Sequence, residues 1–274
     1  FFHAPETTQI YTLSLPVAFP ISRAGNPMPR IWETSAGMLN AIGLENAGLD
    51  HFIRVSVPKL AAIDCVKFVN VAGFSVDDYA RVIDALDPFD AIDGFEINIS
   101  CPNVGAGCIS IGADPKQIDA LLAAVRPRTK KHLMVKLTPN VAAIEPVARA
   151  AESGGADSIS LINTLTGMAI DPETRRFRIA NKTGGLSGPA IRPIAVRMVY
   201  QAAKAVRIPV VGLGGIDGIG AAIEFLLAGA TAVQIGTMHF VRPRIMEELA
   251  DELRAYLTRR GLSHYSELIG AATD

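Results

Sequence analysis

Phe95-Glu96-Ile97-Asn98-Ile99-Ser100-Cys101-Pro102-Asn103-Val104 decides how the chain is read. Its first half is a short apolar strand, and its second half leaves that strand and turns at a proline. The same design recurs outward in both directions. Phe68-Val69-Asn70-Val71 precedes it; Leu133-Met134-Val135-Lys136-Leu137, Ser158-Ile159-Ser160-Leu161-Ile162-Asn163, Ile208-Pro209-Val210-Val211-Gly212 and Ala232-Val233-Gln234-Ile235-Gly236 follow. Ala- and Leu-rich helical stretches lie between them at Ile118 to Val125, Pro146 to Ser153, Ile191 to Ala205 and Ile219 to Ala228. Near-continuous apolar strands alternating with helices indicate parallel strands covered on both sides.

An open doubly wound sheet competes with a barrel. Asn70, Asn98, Lys136, Asn163, Gly214 and Gly236 all fall near the C-terminal ends of successive strands. In an α/β barrel those ends converge on one mouth, so the expected fold is a parallel (β/α)8 TIM-type barrel. Tyr11 to Phe19 reads as an earlier strand. A barrel needs eight, and the first is expected upstream of Phe1 or divergent at the N-terminus. No domain boundary is visible, so residues 1–274 are read as one domain, with the Gly- and Pro-rich stretch from Gly184 to Pro193 as a loop.

Composition narrows the function. Hydrophobic residues make up 49% and charged residues 19% of 274, and the formal net charge is −1. A large core is available, and the concentrated positive field that nucleic acid requires is missing. Arg126 to Lys131 and Arg259-Arg260 read as solvated helix ends, and Asp77-Asp78 and Glu247-Glu248 as helix starts or solvated faces. No apolar run is long enough to span a membrane. Cys65, Cys101 and Cys108 are too few for a disulfide framework, which fits a reducing, cytoplasmic setting. Neither the histidines nor the cysteines have metal-ligand spacing, so no metal site is expected.

Each remaining polar position admits two readings. Cys101 is either a small buried thiol or a general base or nucleophile at the barrel mouth, and the flanking Asn98 and Asn103 suit an imide- or urea-like ring. Lys136 within an apolar strand is either ion-paired or a cation facing an anionic ring. Gly212-Leu213-Gly214-Gly215-Ile216 and Gly236-Thr237 are either tight turns or a phosphate cradle on the last two barrel loops. The spacing is not that of a dinucleotide fingerprint, so no NAD site is read.

The chain resembles the class 1 dihydroorotate dehydrogenases, within them the 1B subgroup, from about Gly25 to the C-terminus. The resemblance is carried by GNPMPRIWETSAGMLNAIGLENAG, NVAG, EINISCPNV, VKLTPNV, LINTLTGM, NKTGGLSGPAIRPIA, VVGLGGI and AVQIGT, in that order. It implies FMN-dependent oxidation of dihydroorotate to orotate in pyrimidine biosynthesis. Cys101 would take the C5 proton while hydride leaves C6 for flavin N5. Asn40, Ala41, Ile42, Gly43, Leu44, Asn98, Asn103, Asn163 and Thr164 would hold the substrate. Asn70, Asn98, Lys136, Ile162, Gly188, Gly214, Gly215, Gly236 and Thr237 would hold FMN.

The resemblance further implies a homodimer, and a heterotetramer with a subunit that carries FAD and a [2Fe–2S] cluster and reduces NAD. A cysteine at the base position points away from the membrane-bound class 2 enzymes. The chain departs from the family at three places. Pro16 stands where a lysine touching flavin and substrate is usual, Phe1 to Ser22 matches poorly with roughly thirty residues expected upstream, and Gly105-Ala106-Gly107-Cys108 replaces a lysine-containing loop. The altered N-terminal segment motivates one alternative, a catalytically impaired paralogue with a binding role; a further alternative keeps catalysis but uses fumarate as electron sink, as in the 1A subgroup.

Overall fold

The structure is a computed structural model and describes residues 13–14, 18–100 and 111–273. Eleven strands occur among these residues. They are β1 (Leu13–Ser14), β2 (Ile31–Thr34), β3 (Gly37–Asn40), β4 (Lys67–Val71), β5 (Gly94–Asn98), β6 (His132–Lys136), β7 (Ser158–Leu161), β8 (Leu165–Met168), β9 (Thr183–Ser187), β10 (Val210–Leu213) and β11 (Ala232–Gln234). The α-helices are α1 (Leu49–His51), α2 (Val57–Ala61), α3 (Val76–Leu86), α4 (Pro115–Val125), α5 (Glu145–Ser153), α6 (Arg192–Ala205), α7 (Ile219–Leu227) and α8 (Ile245–Arg260).

Seven parallel strands form the main sheet in the order β1-β4-β5-β6-β7-β10-β11, which follows the chain. A doubly wound sheet would reverse direction at a switch point, and none occurs here. The sheet also curls on itself. Gln234 of β11 donates from Nε2 to Glu96 Oε1 of β5 at 3.3 Å. Four strand spacings laid flat would hold these residues roughly 19 Å apart. Phe68, Met134, Val211 and Ala232, from β4, β6, β10 and β11, meet in one buried cluster inside the curl. Such a layer fills the interior of an α/β barrel.

The helices pack outside, each burying one stripe. In α4 these are Ile118, Leu121, Leu122 and Val125. In α5, Pro146 sits in the first turn, where a missing N–H costs little, and Val147, Ala148, Ala150 and Ala151 face the sheet. Asp78 belongs to a capping box that starts α3: Ser75 Oγ accepts from Asp78 N at 3.2 Å, and the Asp78 carboxylate accepts from Ser75 N. Glu247 and Glu248 open α8, and Arg259 and Arg260 close it, as the helix dipole favours.

The stretch read from sequence as an earlier strand contains β1, which pairs in parallel with β4, and Ala18 bridges to Val71. Among the described residues no strand joins β11 to β1.

The reading of Gly184 to Pro193 as a loop is corrected. Thr183–Ser187 is β9, the third strand of an antiparallel sheet ordered β2-β3-β9-β8. Thr-Gly-Gly-Leu-Ser has little intrinsic strand preference; the pairing comes from its neighbours. The backbone of β3 passes so close that a Cβ on Gly184 would lie 2.7 Å from Asn40 O, and on the other side the Thr164 side chain, just before β8, would lie 2.1 Å from a Cβ on Gly185 through its Oγ1. Glycine here permits close strand contact rather than a bend.

Candidate active site

The barrel strands end at a cavity of about 160 Å³ that opens to solvent. Residues from β6, the ends of β7 and β10, β9 and the turn after β11 converge on it. Lys136, Ile162, Asn163, Thr164, Gly188 and Gly214 line it, with Gly215, Gly236 and Thr237 beside them. These positions are scattered over about a hundred residues of chain, and the barrel gathers them at one end.

Lys136 is ion-paired and also lines the cavity. Its Nζ lies 3.4 Å from Glu96 Oε2, and its side chain remains 14% exposed against 2% for Glu96. Glu96 also accepts from Asn70 Nδ2 at 2.5 Å and Ser160 Oγ at 2.8 Å. Burial pushes this carboxyl upward, but the Lys136 ammonium and the hydrogen bonds from Ser160, Asn70 and Gln234 outweigh it and hold it below the ordinary carboxylate value.

Asn98 continues the network, donating to Asn70 Oδ1 at 3.2 Å. Its own Oδ1 accepts from Ser100 Oγ at 2.9 Å, and Asn163 Nδ2 donates to Ser100 O at 3.0 Å. The chain is thus tied to the cavity rim up to Ser100. Cys101 and Asn103 follow and lie outside the described residues, as do Cys108 and Pro16.

Asn40 ends β3 in register with Gly185 and donates to Gly185 O at 3.4 Å, beside Thr164. Ala41 is buried, with its N–H on Arg30 O at 2.8 Å. Ile42, Gly43 and Leu44 form the next loop, held by Asn26 N on Ile42 O, Arg23 Nε on Gly43 O and Asn46 Nδ2 on Leu44 O. Asn40 to Leu44, Asn70 and Asn98 do not line the cavity itself.

The glycines differ in what they permit. Gly214 and Gly215 have φ of +125° and +78°, a region that disfavours side chains. A Cβ on Gly236 would meet nothing within 4 Å, so this turn faces open space beside the cavity. Thr237 Oγ1 donates to Ser187 Oγ at 2.8 Å and joins that turn to β9.

Sequence reasoning passed over Glu96, Ser160, Gln234, Ser100 and Ser187. One signal was available. Glu96 stands two residues before Asn98 and so shares its strand face, and a charge on an otherwise apolar strand needs a partner on the next one.

A curled parallel sheet with its polar cavity at the strand C-termini defines a TIM-type barrel enzyme. The model of the family "Dihydroorotate dehydrogenase" matches residues 15–257. The catalytic subunit of dihydroorotate dehydrogenase B (NAD(+)) from Trichlorobacter lovleyi is 53% identical over 249 residues, covering 91% of this chain and 82% of the relative. The proteins of that name from Lachnoclostridium phytofermentans and Bacteroides thetaiotaomicron are 50% and 49% identical, at similar coverage. The crystal structure of an Eimeria tenella dihydroorotate dehydrogenase bound to ferulenol shares the fold, with a TM-score of 0.80 at 24% identity over 95% of this chain and 78% of that one. The chain belongs to the dihydroorotate dehydrogenase family.

Proposed function

We propose that this chain oxidises (S)-dihydroorotate to orotate in pyrimidine biosynthesis, as the FMN-binding subunit of an NAD-linked assembly. The observation that carries the reading is the convergence of Lys136, Asn163, Thr164 and two glycine-lined turns on one cavity in a chain of this family.

The residues present fit FMN. The open space at Gly236 and the side-chain-free turn at Gly214-Gly215 suit a phosphate group met by backbone amides, and Lys136 suits the N1 side of an isoalloxazine. Asn70, Asn98, Ile162, Gly188 and Thr237 complete the proposed cofactor set. When bound, FMN supplies the hydride acceptor. The protein's own contribution is to hold and orient dihydroorotate with Asn40 to Leu44, Asn98, Asn103, Asn163 and Thr164, and to take the C5 proton on the Cys101 thiolate. The tether from Asn163 to Ser100 supports this, since it fixes the chain one residue before the thiol.

The relatives' names support NAD over fumarate as the final acceptor, and the words 'catalytic subunit' in them support a partner subunit; in our reading that partner carries FAD and a [2Fe–2S] cluster. Among the described residues no helix is long and apolar enough to cross a membrane. We read the whole chain as one barrel domain, homodimeric in a heterotetramer, and cytoplasmic.

The experiment is Cys101→Ala. Rapid mixing of the FMN-loaded variant with dihydroorotate is expected to show flavin reduction slowed by about 10²-fold or more, with orotate affinity nearly unchanged. An unchanged reduction rate would remove Cys101 as the base.

A further inference from the structure

Glu96 has no place in the reaction described above, yet four side chains donate to its carboxylate. It is 2% exposed and lies on β5. Donors reach it from four other strands: Asn70 on β4, Lys136 on β6, Ser160 on β7 and Gln234 on β11. A buried ion pair is a poor source of net stability, because desolvating both charges offsets most of their attraction. An apolar side chain extending the layer of Phe68, Met134, Val211 and Ala232 would fill this position at less cost. Of the groups around the carboxylate, only Lys136 and Gln234 also line the cavity. Glu96 therefore meets the cavity through them, from behind.

We propose that Glu96 is a positioning residue: it anchors the Lys136 ammonium at the cavity floor and tempers the positive charge that Lys136 offers to a bound flavin. The inference rests on the reading of Lys136 as the cation beside the flavin ring. A reduced flavin carries negative charge near N1, so a cation there favours reduction, and a carboxylate 3.4 Å behind that cation opposes it. The four neutral and charged donors fix the carboxylate, so the compensation is built into the barrel rather than left to solvent.

The test uses the FMN-loaded protein, reduced anaerobically beside a reference dye so that the flavin–dye equilibrium is read directly. Glu96→Gln keeps the shape and removes the charge. The equilibrium is expected to move toward reduced flavin by about tenfold, the scale of one poorly screened charge. A merely structural role predicts no such gain, only weakened flavin binding. Should Glu96→Gln fail to fold, Glu96→Asp keeps the charge and withdraws it by one methylene, and a smaller shift in the same direction is expected. An unmoved equilibrium, or a shift toward oxidised flavin, overturns the proposal. Failure of the underlying reading looks different: wild-type protein that takes up no FMN overturns both, whereas normal FMN uptake with an unmoved equilibrium in the variant overturns this inference alone.

Discussion

At the scale of single residues, the polar interior is a set of mutual obligations around Glu96. Removing one partner strands the other: Lys136→Met leaves a 2%-exposed carboxylate without its cation, and a loss of about 3–5 kcal/mol in urea unfolding is expected. The double change with Glu96→Gln is expected to recover much of that loss, since both charges then leave together. Acid should act in the same sense. The folded carboxyl is held below its ordinary value of 4.5, so its contribution is complete above that pH and is lost as pH falls through the lower folded value. Unfolding followed below pH 4.5 is expected to show a flatter acid decline in Glu96→Gln than in the wild type.

At the scale of elements, two glycines separate packing from binding. In β9, Gly185→Ala sets a methyl 2.1 Å from Thr164 Oγ1, and a destabilisation of about 1–3 kcal/mol is expected in thermal or urea unfolding. At the turn after β11, Gly236→Val projects into open space and is expected to leave stability within about 0.5 kcal/mol while weakening FMN retention at least tenfold, measured by flavin fluorescence. The elements themselves were unequally legible. The strands and helices of the barrel could be read because each keeps one apolar period and ends in a turn signal, and β4 to β7, β10 and β11 lie within a residue or two of their expected bounds. The antiparallel sheet could not. Its strands β2, β3, β8 and β9 are short and partly exposed, and β9 holds two glycines, so their pairing depends on partners up to about 150 residues away in the chain. No local pattern records such a partner. Lys136, Asn163 and the glycine turns were visible as polar interruptions of apolar strands. Glu96 has the same signature, and its partners became apparent only once the barrel brought donors from four other strands to it.

At the scale of the molecule, the barrel explains why residues so far apart in the chain lie together: strand order follows chain order, and β6, β7, β10 and β11 end on one cavity. The central claim is that this end takes FMN and passes to it the hydride of dihydroorotate. The most direct test is the visible absorption spectrum of the FMN-reconstituted chain under anaerobic conditions, before and after adding dihydroorotate. The account predicts a flavin spectrum that bleaches on mixing and returns with an added oxidant. Protein that cannot be loaded with FMN, or whose flavin band is untouched by dihydroorotate, would contradict it.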